Sequence, residues 1–98
     1  MISVTVTFDY PGNFDRERVV KIASDVRGMF EGMPDLRLKI FTFDEKQQRA
    51  SNFYLWDSRE AAESFFTEAL RERVTGLYGV APSIEFAEIA EIVDNSRS

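Results

Sequence analysis

The sequence predicts an α+β fold with elements in the order β-α-β-β-α-β. Three features point to it: a strictly alternating first segment, two stretches with apolar residues at helical spacing, and two further alternating segments joined by a short polar loop. A last apolar segment after Pro82 completes the order.

In the first segment Ile2, Val4, Val6 and Phe8 alternate with Ser3, Thr5 and Thr7. A period of two puts the apolar set on one face of a strand. The segment has no basic leader and no long apolar run, so it reads as a strand and not as a signal peptide. Nowhere does the chain reach the ~18 consecutive apolar residues of a membrane helix, and a cytoplasmic location is expected. Tyr10-Pro11-Gly12-Asn13 then breaks the strand, Pro fixing φ and Gly accepting a positive φ.

Val19, Ile22, Ala23, Val26 and Phe30 share one helical face. Asn13 or Asp15 caps this helix, Glu17 stands four before Lys21 in the favourable order, and Gly32 and Pro34 end it. Leu36 to Phe43 forms the second strand, with Leu36, Leu38 and Ile40 on one face and Arg37, Lys39, Phe41 and Phe43 on the other. The polar run Asp44 to Arg49 is a hairpin loop. Ser51 to Trp56 is the third strand, with Asn52, Tyr54 and Trp56 opposite Phe53 and Leu55.

Asp57-Ser58-Arg59-Glu60 opens the second helix, with Asp57 as N-cap and Glu60 at capping-box spacing. Its buried stripe is Ala62, Phe65, Phe66, Ala69 and Leu70, and it stops by Thr75-Gly76 with a broken turn through Tyr78-Gly79. Ile84 to Val93 forms the last strand, and residues 94–98 are a frayed polar tail. This is the ferredoxin-like split βαβ pattern: a four-stranded antiparallel sheet with two helices on one face. No linker or low-complexity stretch interrupts it, and a single domain over residues 1–98 is expected.

Composition narrows the chemistry. With 17 acidic against 12 basic residues the net charge is −5, and the basic residues form no run, so a nucleic-acid partner is not expected. The chain has no cysteine and no histidine. It therefore cannot supply a disulfide, a thiolate or imidazole metal ligand, a Ser-His-Asp triad or an axial histidine for haem. No metal or cofactor is expected. The glycines lie at turns and helix ends and not in a phosphate-binding loop. Glu85, Glu88 and Glu91 lie on or near the last strand without the spacing of a catalytic or metal-binding carboxylate pair.

Apolar groups also stand on both faces of the second and third strands. Whichever face meets the helices, four or five large apolar side chains remain on the other, each worth roughly 1.5–3 kcal/mol when buried. A homodimer that packs sheet on sheet about a two-fold axis removes this exposure.

The segment Leu36-Arg37-Leu38-Lys39-Ile40-Phe41-Thr42, a polar loop, and then Asn52-Phe53-Tyr54-Leu55-Trp56-Asp57-Ser58-Arg59-Glu60-Ala61-Ala62 resemble the YdhR-like monooxygenase family. Pro11-Gly12-x-Phe14 and the element order agree, so the similarity covers nearly the whole chain. The resemblance implies a dimeric α+β barrel, a superfamily that holds cofactor-independent quinone-forming monooxygenases, haem-degrading enzymes, isomerases and members with no known activity. The Asn52-x-x-x-Trp56 spacing is similar to the Asn/Trp pair of the quinone-forming branch. The haem-degrading branch relies on an axial histidine, which this chain lacks.

The candidate catalytic residues are accordingly Asn52, Tyr54, Trp56 and Lys39. The first three share one strand face and carry N–H or O–H donors for an oxyanion. Lys39 stands among apolar neighbours, where desolvation makes a lysine a base or an anion partner. Each has a plainer role open to it. Tyr54 and Trp56 suit a core or interface, Asn52 can satisfy a hairpin backbone, and Lys39 can reach solvent or pair with a carboxylate such as Glu85. The expected function is a monooxygenase acting on a small phenol-, anthrone- or hydroquinone-type substrate. The alternatives are a non-catalytic, ligand-binding or stress-related dimer and an isomerase acting on a small ring.

Overall fold

The computed structural model describes residues 1–96. Its elements are β1 (Ile2–Asp9), α1 (Arg16–Phe30), β2 (Leu36–Asp44), β3 (Arg49–Trp56), α2 (Arg59–Phe65), α3 (Glu68–Tyr78) and β4 (Ser83–Glu88). The strands form one antiparallel sheet in the order β2-β3-β1-β4. The ferredoxin-like α+β fold is the one the element order predicts. No helix among the described residues is long and apolar enough to cross a membrane.

The central pair β1–β3 sets which sheet face is inside. Ile2, Val4, Val6 and Phe8 lie opposite Trp56, Tyr54, Asn52 and Ala50, and all eight are buried. Opposed residues of an antiparallel pair share a face, so Asn52, Tyr54 and Trp56 point toward the helices. The other face carries Ser3, Thr5 and Thr7 from β1 and Phe53 and Leu55 from β3.

The alternation expected along β2 is interrupted. Leu36 pairs with Trp56 but Leu38 pairs with Leu55, so two residues of β2 span one step of β3. This bulge at Arg37 resets the phase. Leu36 packs against the core, whereas Leu38 and Ile40 turn to the open face, where they are 41% and 50% exposed. Lys39 and Phe41 return to the helix side, opposite Tyr54 and Asn52.

The second helix differs most from its sequence reading. Phe66 leaves helical geometry at φ −86°, ψ 71°, and Thr67 starts a new helix by accepting a hydrogen bond from Leu70 N at 3.2 Å. The break lets both adjacent phenylalanines face the core: Phe65 lies 5.9 Å from the Phe30 ring and Phe66 4.9 Å from Tyr54. Restarting the helix shifts its phase, so Ala69 is exposed and the inward positions are Leu70, Val74 and Tyr78. α3 runs through Thr75-Gly76 and ends at Gly79, whose φ of 87° suits an αL cap.

The cap of α2 is Ser58, whose hydroxyl accepts from Ala61 N at 3.1 Å. Asp57, the expected cap, instead pairs with Arg37 at 3.4 Å. Asp15 caps α1 by accepting from Arg18 N. β4 stops at Glu88 and does not extend to Val93, because only a single long bond, Ile89 N to Met1 O at 3.4 Å, follows its pairing with β1. Residues 94–96 of the expected tail have no regular structure, and 97–98 lie outside the described residues.

Loss of the Ser58 hydroxyl is expected to cost about 1 kcal/mol, as for other serine N-caps. Removal of the exposed Asp57–Arg37 pair should cost less than half as much. Urea unfolding of Ser58→Ala and Asp57→Ala checks this order; the opposite order would return the cap to Asp57.

Candidate active site

A cavity lies between the helix-facing side of the sheet and α1, α2 and α3. Its volume is about 90 Å³, and its walls are almost wholly apolar. Val6 and Phe8 of β1 and Asn52 and Tyr54 of β3 form the floor, Phe30 and Phe65 one side, and Leu70, Val74 and Tyr78 of α3 the other. Met29, Arg73 and Leu77, all exposed, stand at its rim.

Three of the four sequence-predicted residues meet here. Lys39 lines the cavity from β2, one strand over from Tyr54. Its Nζ sits 3.5 Å from the centre of the Phe30 ring, 4.2 Å from Phe41 and 4.3 Å from Tyr54. No carboxylate pairs with it among the described residues. Glu85 is out of reach: it belongs to β4, at the far edge of the sheet, and pairs with Thr5 on the open face. Burial without a counter-charge pushes the Lys39 ammonium down to about 7. The three ring faces work in the other direction, since their quadrupoles favour the cation. Lys39 can therefore hold or release a proton near neutral pH.

Asn52 is 4% exposed, and its side-chain amide donates to Tyr78 Oη at 3.1 Å. Tyr78 is itself held on several sides. Its ring stacks on Phe8 at 3.8 Å, nearly parallel, and its carbonyl accepts from Tyr10 Oη at 2.8 Å. Arg18 donates to the neighbouring Leu77 carbonyl at 3.0 Å, so two side chains from outside α3 satisfy its C-terminal carbonyls. Burial raises the Tyr78 hydroxyl pKa, and the Asn52 hydrogen bond opposes the shift. Burial also raises the Tyr54 hydroxyl, with Tyr78 adding to the effect. Both phenols are thus neutral donors at physiological pH.

Trp56 is not part of the cavity wall. It is 2% exposed and packs behind the wall, stacked on Tyr54 at 6.1 Å and 5.2 Å from Phe65. Its Nε1 is buried and has no hydrogen-bond partner among the described residues. From there it fixes the Tyr54 and Phe65 rings that do face the cavity.

Two cavity residues escaped the sequence reading. Ending the helix at Thr75-Gly76 places Tyr78 in a turn, and Arg73 stands outside the apolar stripe read for that helix. The signal was present: Leu70, Arg73, Val74 and Leu77 follow the i, i+3, i+4, i+7 pattern, with a cation at an apolar position, and Tyr78 continues the Leu70–Val74 row.

An open-faced α+β sheet covered by helices, with a small apolar cavity between the layers, is the class of protein the fold and site define. The family described as "Putative mono-oxygenase ydhR" matches residues 3–86, and the chain belongs to this family. No curated relative matches by sequence. Among solved structures, the monooxygenase from the gene ActVA-Orf6 of Streptomyces coelicolor, in complex with nanaomycin D, superposes with a TM-score of 0.72 at 19% identity, over 97% of this chain and 92% of that one. An antibiotic biosynthesis monooxygenase from Deinococcus radiodurans, itself described as putative, gives 0.65 at 17% identity over 96% and 97%. A variant of SnoaB, a cofactor-independent oxygenase from Streptomyces nogalater, gives 0.66 at 8% identity over 94% and 95%. At these identities the likeness is one of fold.

The lowered Lys39 pKa has a sign that can be checked. Between about 7 and the ordinary lysine value of 10.5 the unfolded chain binds a proton that the folded chain does not. Stability should then rise with pH across this window, by at most about 1.4 kcal/mol per unit. Relative to wild type, Lys39→Met should be most stabilised at or below pH 7 and lose most of that advantage by pH 9.5. Urea unfolding of both proteins at several pH values measures it; equal pH slopes would show that Lys39 stays charged in the fold.

Proposed function

We propose that this protein is a cofactor-independent monooxygenase for a small phenolic ring. The observation that carries the reading is the unpaired Lys39 on the wall of an apolar cavity, beside the Asn52 amide and the Tyr78 and Tyr54 hydroxyls. A phenol reacts with dioxygen without metal or flavin once it is held as its anion, and such a site supplies what the anion needs. A neutral Lys39 takes the phenol proton, the resulting ammonium pairs with the phenolate, and Asn52 offers its remaining N–H. Aromatic and aliphatic walls keep water from competing.

The electron-rich ring carbon para to the phenolate then passes an electron to dioxygen and forms a C–O bond with the superoxide. Loss of the ring proton and cleavage of the O–O bond leave a quinone carbonyl. One oxygen atom ends in the product and the other in water. The substrate provides all four electrons and loses two hydrogen atoms overall, so no external reductant is consumed.

Oxygen uptake with a phenol whose para ring carbon carries hydrogen, measured with a chelator present, tests this. Turnover that persists in chelator, with quinone and water as products, supports the reading; activity that vanishes on chelation and returns with added zinc or iron overturns it. Binding without any oxygen uptake leaves a non-catalytic ligand-binding protein. Asn52→Ala should lower kcat on the order of 100-fold. It should also cost about 1–2 kcal/mol of stability, because the Tyr78 hydroxyl loses its donor. A full kcat with only the stability loss would make Asn52 a structural residue.

The open sheet face supports the homodimer reading. Leu38 and Ile40 stand exposed on it beside the partly buried Phe53, on the adjoining strands β2 and β3, while Leu55 on the same face is already buried. A second copy packed on this face would bury roughly 2,000 Å² or more of total area, the obligate range. Sedimentation at micromolar concentration should give a dimer that Ile40→Glu dissociates; a stable folded wild-type monomer of 11.3 kDa would contradict it.

A further inference from the structure

The cavity differs in sign from the protein that surrounds it. The chain carries 17 acidic and 12 basic residues, a net charge of −5. Yet the charged residues lining the cavity are two cations, Lys39 and Arg73, with no carboxylate among them. Neither cation has an ion-pair partner among the described residues, whereas Arg37, Arg49 and Arg59 each hold one. The two cations also come from different places: Lys39 from the sheet, caged by three rings, and Arg73 from the exposed rim on α3. The unpaired Lys39 ammonium, held among apolar walls, raises the energy of the empty protein, and an anionic ligand relieves it, with the solvated Arg73 offering a second cation at the rim.

Size limits the ring. The cavity of about 90 Å³ is smaller than the ~150 Å³ that holds a benzene in an engineered apolar core. One aromatic ring can enter if the flexible Met29 and Leu77 side chains at the rim give way, and whatever the ring carries on its outer edge then stands beside Arg73. A planar guanidinium matches a carboxylate with two parallel hydrogen bonds.

We propose that the ligand is a single-ring phenolic acid, its hydroxyl oxygen at Lys39 and its carboxylate on Arg73 at the rim. This rests on the reading of the cavity as the ligand site and adds the second acidic group and the one-ring limit. Arg73 would then be the residue that selects for the acid, and the reacting oxygen would lie at the opposite, buried end.

Calorimetric titration with 2,5-dihydroxybenzoate and with its methyl ester tests the proposal, because the two share ring and hydroxyls and differ in the charge. The wild-type protein is expected to bind the acid about ten-fold or more tightly than the ester, the usual effect of a charge-assisted hydrogen-bonded pair. Arg73→Gln should abolish that preference. Lys46→Gln, which removes the same charge from the exposed hairpin loop, should keep it. An ester bound as tightly as the acid by the wild type overturns the phenolic-acid assignment and leaves the cavity reading standing. A preference that survives in Arg73→Gln, or is lost equally in Lys46→Gln, overturns Arg73 as the anchor. If neither compound binds the wild type, the cavity reading falls together with the proposal.

Discussion

The pairing of β1 with β3 is the constraint on which the rest of the structure depends. Ile2, Val4, Val6 and Phe8 are wholly or almost wholly buried, and each is worth roughly 1.5–3 kcal/mol in the core. Their burial fixes the inner face of β1, and the register carries that decision to β3. With Val6 opposite Asn52 and Val4 opposite Tyr54, the polar residues of β3 must share the core face. A slip of one residue would send Phe53 and Leu55 inward and turn Asn52 and Tyr54 to the open side. The site exists because the hydrophobic ladder of one strand drags polar side chains of the next under the helices.

That arrangement costs stability. A half-buried lysine without a carboxylate and an indole N–H without an acceptor both oppose folding. The aromatic cluster offsets the cost around them: the rings of Phe30, Phe41 and Tyr54 surround the Lys39 ammonium, and Tyr54 and Phe65 pack on Trp56. Polar groups placed in a core without full satisfaction are where a fold departs from its own packing rules, and such departures gather at functional sites.

The bulge at Arg37 divides β2 between two tasks. Before it, Leu36 packs beside Trp56 in the core; after it, Lys39 and Phe41 face the cavity while Leu38 and Ile40 face outward. One extra residue thus serves both sheet faces. The break at Phe66 acts similarly between α2 and α3, directing two adjacent phenylalanines inward and re-phasing the chain so that Arg73 and Tyr78 reach the cavity.

Periodicity was enough to determine the order of strands and helical stretches, though not the break at Phe66 or the end of β4 at Glu88, because side-chain alternation and the 3.6-residue turn are local properties of the chain. Composition was enough to remove histidine and cysteine chemistry. The grouping of Asn52, Tyr54 and Trp56 on one face was legible for the same local reason, and so was the oddity of Lys39 among apolar neighbours. Which face lay under the helices was not, since both faces of β2 and β3 carry large apolar groups and only pairing with β1 breaks the tie. Nor could alternation show that Trp56 packs behind the cavity wall while Tyr54 faces it. The Asn52–Tyr78 bond joins residues 26 positions apart, and Arg73 meets Lys39 at one cavity only because α3 restarts at Thr67 and packs over the sheet. These are coincidences in space between elements that leave no mark on either segment alone, and only the packing of helices on the sheet decided them.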